Sequence, residues 1–259
     1  MARRYVIKQD SAPSAPISGI DYHATLNEEQ YAAVSSAPGA ALVIAGAGSG
    51  KTRTLTYRVA WLLDHGTDPW NILLLTFTNK AAREMTERVR ALIPIDLSRL
   101  WSGTFHSIAN RILRQHADYL GYTPAFTIMD SDDRKSMIKN IVKTLKLDEK
   151  SSRFPKPEVL SSLFSLADNE GAGIQETLEN AYPYLSNHLD AILDVHEQYV
   201  LRKQETNSMD FDDLLLNVVR LFQEQEHLRA LYGARFHHIL VDEYQDTNCL
   251  LYTSPSPRD

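Results

Sequence analysis

Cysteine is nearly absent: Cys249 is the single one among 259 residues. An internal disulfide framework is therefore excluded, and the composition suits a reducing compartment, read here as the cytoplasm. No apolar run approaches the roughly 18 residues that a membrane span needs. Arg3 and Arg4 have no long apolar stretch behind them, so neither a membrane anchor nor a secretory signal is expected. Strong basicity is also missing. A net charge of −6 argues against a uniformly cationic nucleic-acid binder. The charge is uneven, however: between positions 45 and 116, ten Lys/Arg stand against five Asp/Glu. On charge alone this surplus is either a phosphate-binding face or a solvated mixed surface. The length suits one large domain or two small ones, with a core that needs no covalent staples.

What is present is organised around Ala45-Gly46-Ala47-Gly48-Ser49-Gly50-Lys51-Thr52. The apolar run at 41–44 predicts a buried parallel strand ahead of it. Leu55, Val59, Leu62 and Leu63 predict a helix behind it, stopped at Gly66. Strand, glycine-rich turn and helix make a phosphate-binding loop. Glycines let backbone N–H groups approach phosphate oxygens, and the helix N-terminus adds partial positive charge. In such a loop Lys51 reaches the β- and γ-phosphates, and the Thr52 hydroxyl ligates Mg²⁺. Ala45 stands where the motif ordinarily has glycine.

Residues 1–23, with Ser-Ala-Pro-Ser-Ala-Pro at their centre, read as a disordered leader. A short helix should follow, with Asn27 as N-cap and Gln30 at the third position of a capping box. Strands are expected at 72–76 and near 100–102, each followed by a helix. This alternation implies an α/β fold with a parallel sheet, whose ligands gather at the carboxyl ends of the strands. Another strand is expected at 126–129. Residues 131–208 read as helices (131–145, 157–168, 174–181 and 187–204) and as an insertion between α/β segments 24–130 and 209–248. Met209-Asp210-Phe211-Asp212-Asp213 opens a return helix, its acids serving the helix N-terminus or positioning the nucleotide domain.

The apolar run at 238–241 predicts a strand that delivers Asp242 and Glu243 at its carboxyl end, the Walker B arrangement. Asp242 would hold Mg²⁺ through water, and Glu243 would orient or deprotonate the attacking water. His237 and His238 are adjacent, so on a strand they point to opposite faces and suggest no metal site.

These residues resemble the N-terminal part of the UvrD/Rep/PcrA DNA helicases of superfamily one. The likeness runs from about 26 to 248. It rests on Leu26-Asn27-Glu28-Glu29-Gln30, the loop through Arg53, Thr76-Phe77-Thr78-Asn79-Lys80-Ala81-Ala82, Gly103-Thr104-Phe105-His106-Ser107 and Val241-Asp242-Glu243-Tyr244-Gln245-Asp246-Thr247-Asn248. The resemblance implies a RecA-like P-loop NTPase domain interrupted by a helical subdomain that contacts duplex junctions. It implies ATP and Mg²⁺ as ligands and movement along single-stranded DNA in the 3′–5′ direction. Gln30 would read adenine, Arg53 would touch phosphate, and Phe77, Thr78, Asn79, Thr104 and His106 would face DNA. The plainer readings stay open: Gln30 as a cap residue, Phe77 as a core aromatic, His106 as a satisfied polar residue. The family continues into a second motor domain that carries further arginines of the ATP site, so residues 1–259 alone are expected to turn over little ATP. A RecB/AddA-type helicase-nuclease subunit and a non-catalytic nucleotide- and DNA-binding module are the rival expectations. Residues 249–259, with Ser-Pro-Ser-Pro, break the helical pattern and read as aberrant sequence.

Overall fold

The computed structural model describes residues 17–46, 48–147 and 154–244. Ala47, Gln245-Asp246-Thr247-Asn248, Cys249 and the tail expected at 249–259 lie outside the described residues. The chain divides into two compact units, Met1–Thr104 with Leu231–Tyr244, and Phe105–Ala230 with Gln245–Asp259.

The first unit holds a three-stranded parallel sheet. Strand β1 (Ile72–Thr76) is buried along its whole length and lies between β2 (Trp101–Thr104) and β5 (His238–Val241). Leu75 pairs with Gly103 on one side and Val241 on the other, so three strand ends are level. Being paired on both sides, β1 is the apolar Ile-Leu-Leu-Leu run that an all-parallel centre demands. Ile72, Leu74 and Leu240 pack against α3 (Lys51–Asp64) and α4 (Asn79–Leu92) through Val59, Leu62, Leu63, Met85 and Val89. Behind β2, Trp101 is buried beneath the Arg235 guanidinium, which lies 4.1 Å from its ring and 3.2 Å from that of Trp70. Such a cation sandwich closes the sheet face with delocalised charge on aromatic surface.

One expected strand does not form. Residues 41–44 are extended but outside any ladder, with Leu42, Val43 and Ile44 at 72%, 52% and 88% exposure. Their apolar character is that of a buried strand, yet a strand needs a neighbour's N–H and C=O groups, and among the described residues none pairs with them. The expected leader differs as well. Residues 17–23 are held against α3, and α1 (Tyr22–Thr25) begins within them.

The second unit is helical. It comprises helices α5 (Phe105–His116), α6 (Ser131–Thr144), α7 (Pro157–Glu170), α8 (Ile174–Ala181), α9 (Leu189–Glu205) and α10 (Phe211–Glu224), of which α6 to α9 build a core that includes Ile138, Leu160, Phe164, Ile192, Val195 and Tyr199. The expected insertion, 131–208, lies within this unit, which also takes in α5 and α10. Phe126 to Met129 contributes β3 (Thr127–Ile128), which pairs with β4 (Ser208–Met209) in a separate two-stranded sheet. A last helix, α11 (Glu226–Arg235), leads into β5.

Inside this unit lies a buried ionic network. Lys203, 4% exposed, donates to Asp213 at 2.7 Å and to Asp210 at 3.3 Å. Tyr199 donates its hydroxyl to Asp210 at 2.7 Å, and Arg134 and Ser165 donate to Asp212. Asp210 also caps α10 by accepting from the Asp213 N–H. Two further groups titrate against this network in opposite senses. Burial, with Asp210, Asp213 and Asp212 nearby and Lys203 opposing, pushes the Asp168 carboxyl up to about 7. Burial, with Lys203 and Arg134 adding to it, pushes His196 down to about 4. The unfolded values are about 4 for Asp and about 6.5 for His. Asp168 therefore costs stability as pH rises from about 4 to about 7, and His196 costs stability as pH falls from about 6.5 to about 4. Asp168→Asn removes the first cost alone. It should raise stability at pH 8 by roughly 2–4 kcal/mol, a gain that vanishes near pH 4. Urea unfolding midpoints across pH 4–8 check this; an equal gain at both ends would show that Asp168 does not titrate as described.

Candidate functional site

The carboxyl ends of β1 and β5 and the N-terminus of α3 meet in the first unit. Helix α3 starts at Lys51 with Gly50 as N-cap, φ 87°, and no side chain caps it. By contrast α2 (Glu28–Ser35), α4, α6 and α10 are each capped by Asn27, Thr78, Asp130 and Asp210. The first N–H groups of α3 thus have no side-chain acceptor, which is the arrangement an anion uses. Gly48 and Gly50 both have positive φ, and a Cβ at Gly50 would stand 2.9 Å from Gln30 Nε2. Gly46 and Ser49 close the turn through Ser49 N–H to Gly46 O at 3.3 Å.

Lys51 Nζ lies 3.5 Å from the Ala45 carbonyl oxygen and 3.8 Å from Glu243 Oε2. One residue before Glu243, the Asp242 N–H donates to Leu75 O at 2.9 Å, extending the β5–β1 ladder by one rung. Glu243 itself has φ 53°. A non-glycine residue there carries strain of about 1–3 kcal/mol, a feature that clusters at functional sites. Burial, then the Glu243 charge, pushes the Asp242 carboxyl above the usual range. Two carboxylates thus stand at one strand end, opposite a lysine and the uncapped start of a helix. Thr52 is the second residue of α3 and partly buried.

Gln30 is the cap residue expected from the sequence and also reaches the loop. Its Oε1 accepts from the Asn27 N–H at 3.3 Å, completing the capping box, and its Nε2 donates to Ser49 O at 3.0 Å. Arg53 donates to Thr25 O at 2.9 Å and lies 5.5 Å from the Tyr57 ring.

At the other strand ends, Phe77 follows β1 directly and is 39% exposed. Thr78 caps α4 through the Ala81 N–H, so its hydroxyl has a structural duty; Asn79 is the first residue of that helix and exposed. Thr104 ends β2, half-buried. In the second unit His106 sits in the first turn of α5, and burial, opposed by Asp212, keeps its imidazole below its usual range and hence neutral near pH 7. Its ring meets Phe211 edge to face at 5.7 Å, and Phe211 is 53% exposed. Sequence reasoning passed over Phe211. The signal lay in the acids around it: Asp210 and Asp213 turn inward to Lys203, which leaves the ring between them facing out.

Residues 26–254 match the model of the UvrD/REP helicase N-terminal domain. The ATP-dependent DNA helicase PcrA of Staphylococcus aureus (strain Mu50) is 41% identical over 229 residues, covering 88% of this chain and 30% of that protein. The ATP-dependent DNA helicase PcrA of Staphylococcus epidermidis (strain ATCC 12228) is likewise 41% identical, over 88% of this chain and 31% of its own length. The chain thus spans less than a third of the curated relatives it matches.

Proposed function

The chain belongs to the UvrD/REP helicase N-terminal domain family, and from that premise we propose that it is the ATP-binding part of an ATP-dependent DNA helicase, whose longer chain couples hydrolysis to 3′–5′ movement on single-stranded DNA. The observation that carries this is the convergence of Lys51 and Glu243, 3.8 Å apart, at the uncapped start of α3. On this reading the first unit is a RecA-like P-loop domain and the helical stretch is its insertion.

The residues fit Mg²⁺-bound ATP. Residues 45–50 and the α3 N–H groups wrap the phosphates, and Lys51 leaves Glu243 to contact the β- and γ-phosphates. Thr52 and Asp242 would hold the Mg²⁺, which when bound neutralises charge between phosphate oxygens. Glu243 orients water and accepts its proton at Oε2 as that water's oxygen bonds to the γ-phosphorus and the bond to the ADP oxygen breaks. Gln30 exchanges its Ser49 partner for adenine, its amide pairing bidentately with N6 and N7. Arg53, bound here to the Thr25 carbonyl oxygen, serves the ground-state complex by contacting phosphate.

Phe77, Thr78, Asn79 and Thr104 in the first unit, and His106 in the second, are proposed DNA contacts, Thr78 also capping α4. Phe211 joins them as an exposed ring against a neutral imidazole. Base stacking on one aromatic ring is worth about 1–3 kcal/mol, roughly 5- to 150-fold in affinity. Phe77→Ala and Phe211→Ala should each weaken binding of an oligo-dT strand within that range, read by fluorescence anisotropy, while the melting temperature moves little. Unchanged DNA affinity with a lowered melting temperature would make both rings ordinary packing residues.

A further inference from the structure

The base-reading glutamine does not stand on the sheet. It stands on an arm, residues 17–35, which is laid along one side of α3 and fastened to it at three points. Asp64, the last residue of α3, is fully buried and takes the first of these. Its Oδ1 accepts from the Ile17 N–H at 2.6 Å and the Ser18 N–H at 2.7 Å, and its Oδ2 from the Ser18 hydroxyl at 2.9 Å and the Tyr22 hydroxyl at 3.2 Å. Arg53 holds the middle through Thr25 O at 2.9 Å, and Arg58 the far end through Val34 O at 2.6 Å. Between these points Tyr22 packs edge-on against Trp61 at 4.9 Å, and Leu26, Val34 and Tyr31 complete a small core over α3.

Gln30 lies between the second and third fastenings. Its bonds outside its own cap reach Ser49 O alone among those the structure gives it. Its place beside the phosphate loop is therefore set by the arm. The family match begins at residue 26, so the part of the arm that Asp64 holds lies ahead of it. No role in nucleotide chemistry falls to Asp64 by position: it sits 13 residues along α3 from Lys51, about 20 Å away at 1.5 Å per residue.

We propose that Asp64 is a positioning residue for nucleobase selection, acting through the arm 17–35 to fix Gln30 against the phosphate loop. This rests on the reading of Gln30 as the adenine contact. A bidentate pair to a base edge tolerates little displacement, and a shift of about 1 Å in a positioned group is enough to lose most of its benefit. The phosphates, in contrast, are held by residues 45–52, which Asp64 does not touch. Asp64→Asn keeps one side-chain oxygen for the Ile17 and Ser18 N–H groups but sets an NH₂ donor against the Ser18 hydroxyl and the buried Tyr22 hydroxyl, which lose their acceptor. The arm then moves to satisfy them and takes Gln30 with it.

The test compares the 259-residue chain with its Asp64→Asn, Ser18→Ala and Tyr22→Phe variants by calorimetry with Mg²⁺ and ATP, GTP or inorganic tripolyphosphate. The original chain should prefer ATP over GTP by tenfold or more. In Asp64→Asn that ratio should fall below threefold, while affinity for tripolyphosphate stays within twofold. Ser18→Ala and Tyr22→Phe each delete one hydroxyl donor and should lower the ratio part of the way; they carry the test if Asp64→Asn does not fold. A ratio unchanged in all folded variants overturns the proposal, as does a parallel loss of tripolyphosphate affinity, which would make Asp64 a general support. A wild-type chain that binds tripolyphosphate but does not distinguish ATP from GTP removes the Gln30 reading itself, and the proposal with it.

Discussion

Lys51→Ala should leave the chain folded and raise its Kd for Mg²⁺-bound ATP by a factor on the order of 10² or more. Each charge-assisted hydrogen bond is worth about 1.5–3 kcal/mol, and Lys51 is placed to make one to the β- and one to the γ-phosphate. Their joint loss amounts to about 3–6 kcal/mol, each 1.4 kcal/mol being tenfold. Little stability goes with it. The ion pair to Glu243 is 3.8 Å long between side chains 33% and 39% exposed, and such pairs contribute about 0–1 kcal/mol. Titration calorimetry with ATP, alongside a thermal melt, separates the two effects. Unchanged affinity would remove residues 45–52 from the nucleotide site. A fall in both affinity and melting temperature would mean that the lysine holds the loop together instead of holding phosphate.

Lys203→Met should destabilise the helical unit by about 3–5 kcal/mol, the usual consequence of stranding one side of a buried ion pair. Asp210 and Asp213 are both nearly buried, and Arg134 Nε stands 3.8 Å from Asp210 without reaching Asp213. In the intact chain Lys203 and Arg134 outweigh burial and keep Asp210 low, while burial pushes Asp213 up. With Lys203 gone, Asp213 has burial and the Asp210 charge both against its ionised form. The loss should therefore shrink as pH falls and the carboxyl takes up a proton. A denaturant series at pH 5 and pH 8 reads this difference. A small, pH-independent loss would mean that water enters the network and solvates the acids. Adding Asp213→Asn to Lys203→Met should recover part of the stability, because the replacement amide carries no charge.

The helices of this chain were legible because their cause is local. Leu55, Val59, Leu62 and Leu63 recur at the helical period, and Asn27 and Gln30 form the capping box their types predict. The strand end that carries Phe77 was legible for a similar reason, since a central parallel strand must be apolar throughout, and the one that carries Asp242-Glu243 from the short Ile-Leu-Val run ahead of it. Residues 41–44 have that same composition and are not a strand, since pairing belongs to a neighbour and no local pattern reports it. The ionic network was hidden for the opposite reason. Lys203 looks like a solvated lysine near a helix end and Asp210 like a simple N-cap; only the packing of α6, α7 and α9 around them puts both out of water. Residues 17–23 read as leader because what holds them is Asp64, more than 40 positions further on.

The chain has three tryptophans, Trp61, Trp70 and Trp101, and all three belong to the unit that contains Lys51. Trp61 stacks on His65 at 3.9 Å beneath the arm, and Trp70 and Trp101 flank the Arg235 guanidinium. The helical unit has tyrosines and no indole. Excitation near 295 nm therefore illuminates one unit and leaves the other dark, while far-ultraviolet circular dichroism is weighted towards the helices. The protein carries its own two-colour reporter. An unfolding transition in ellipticity without a shift in tryptophan emission belongs to the ionic network, and a red shift that precedes it belongs to the arm and the sheet.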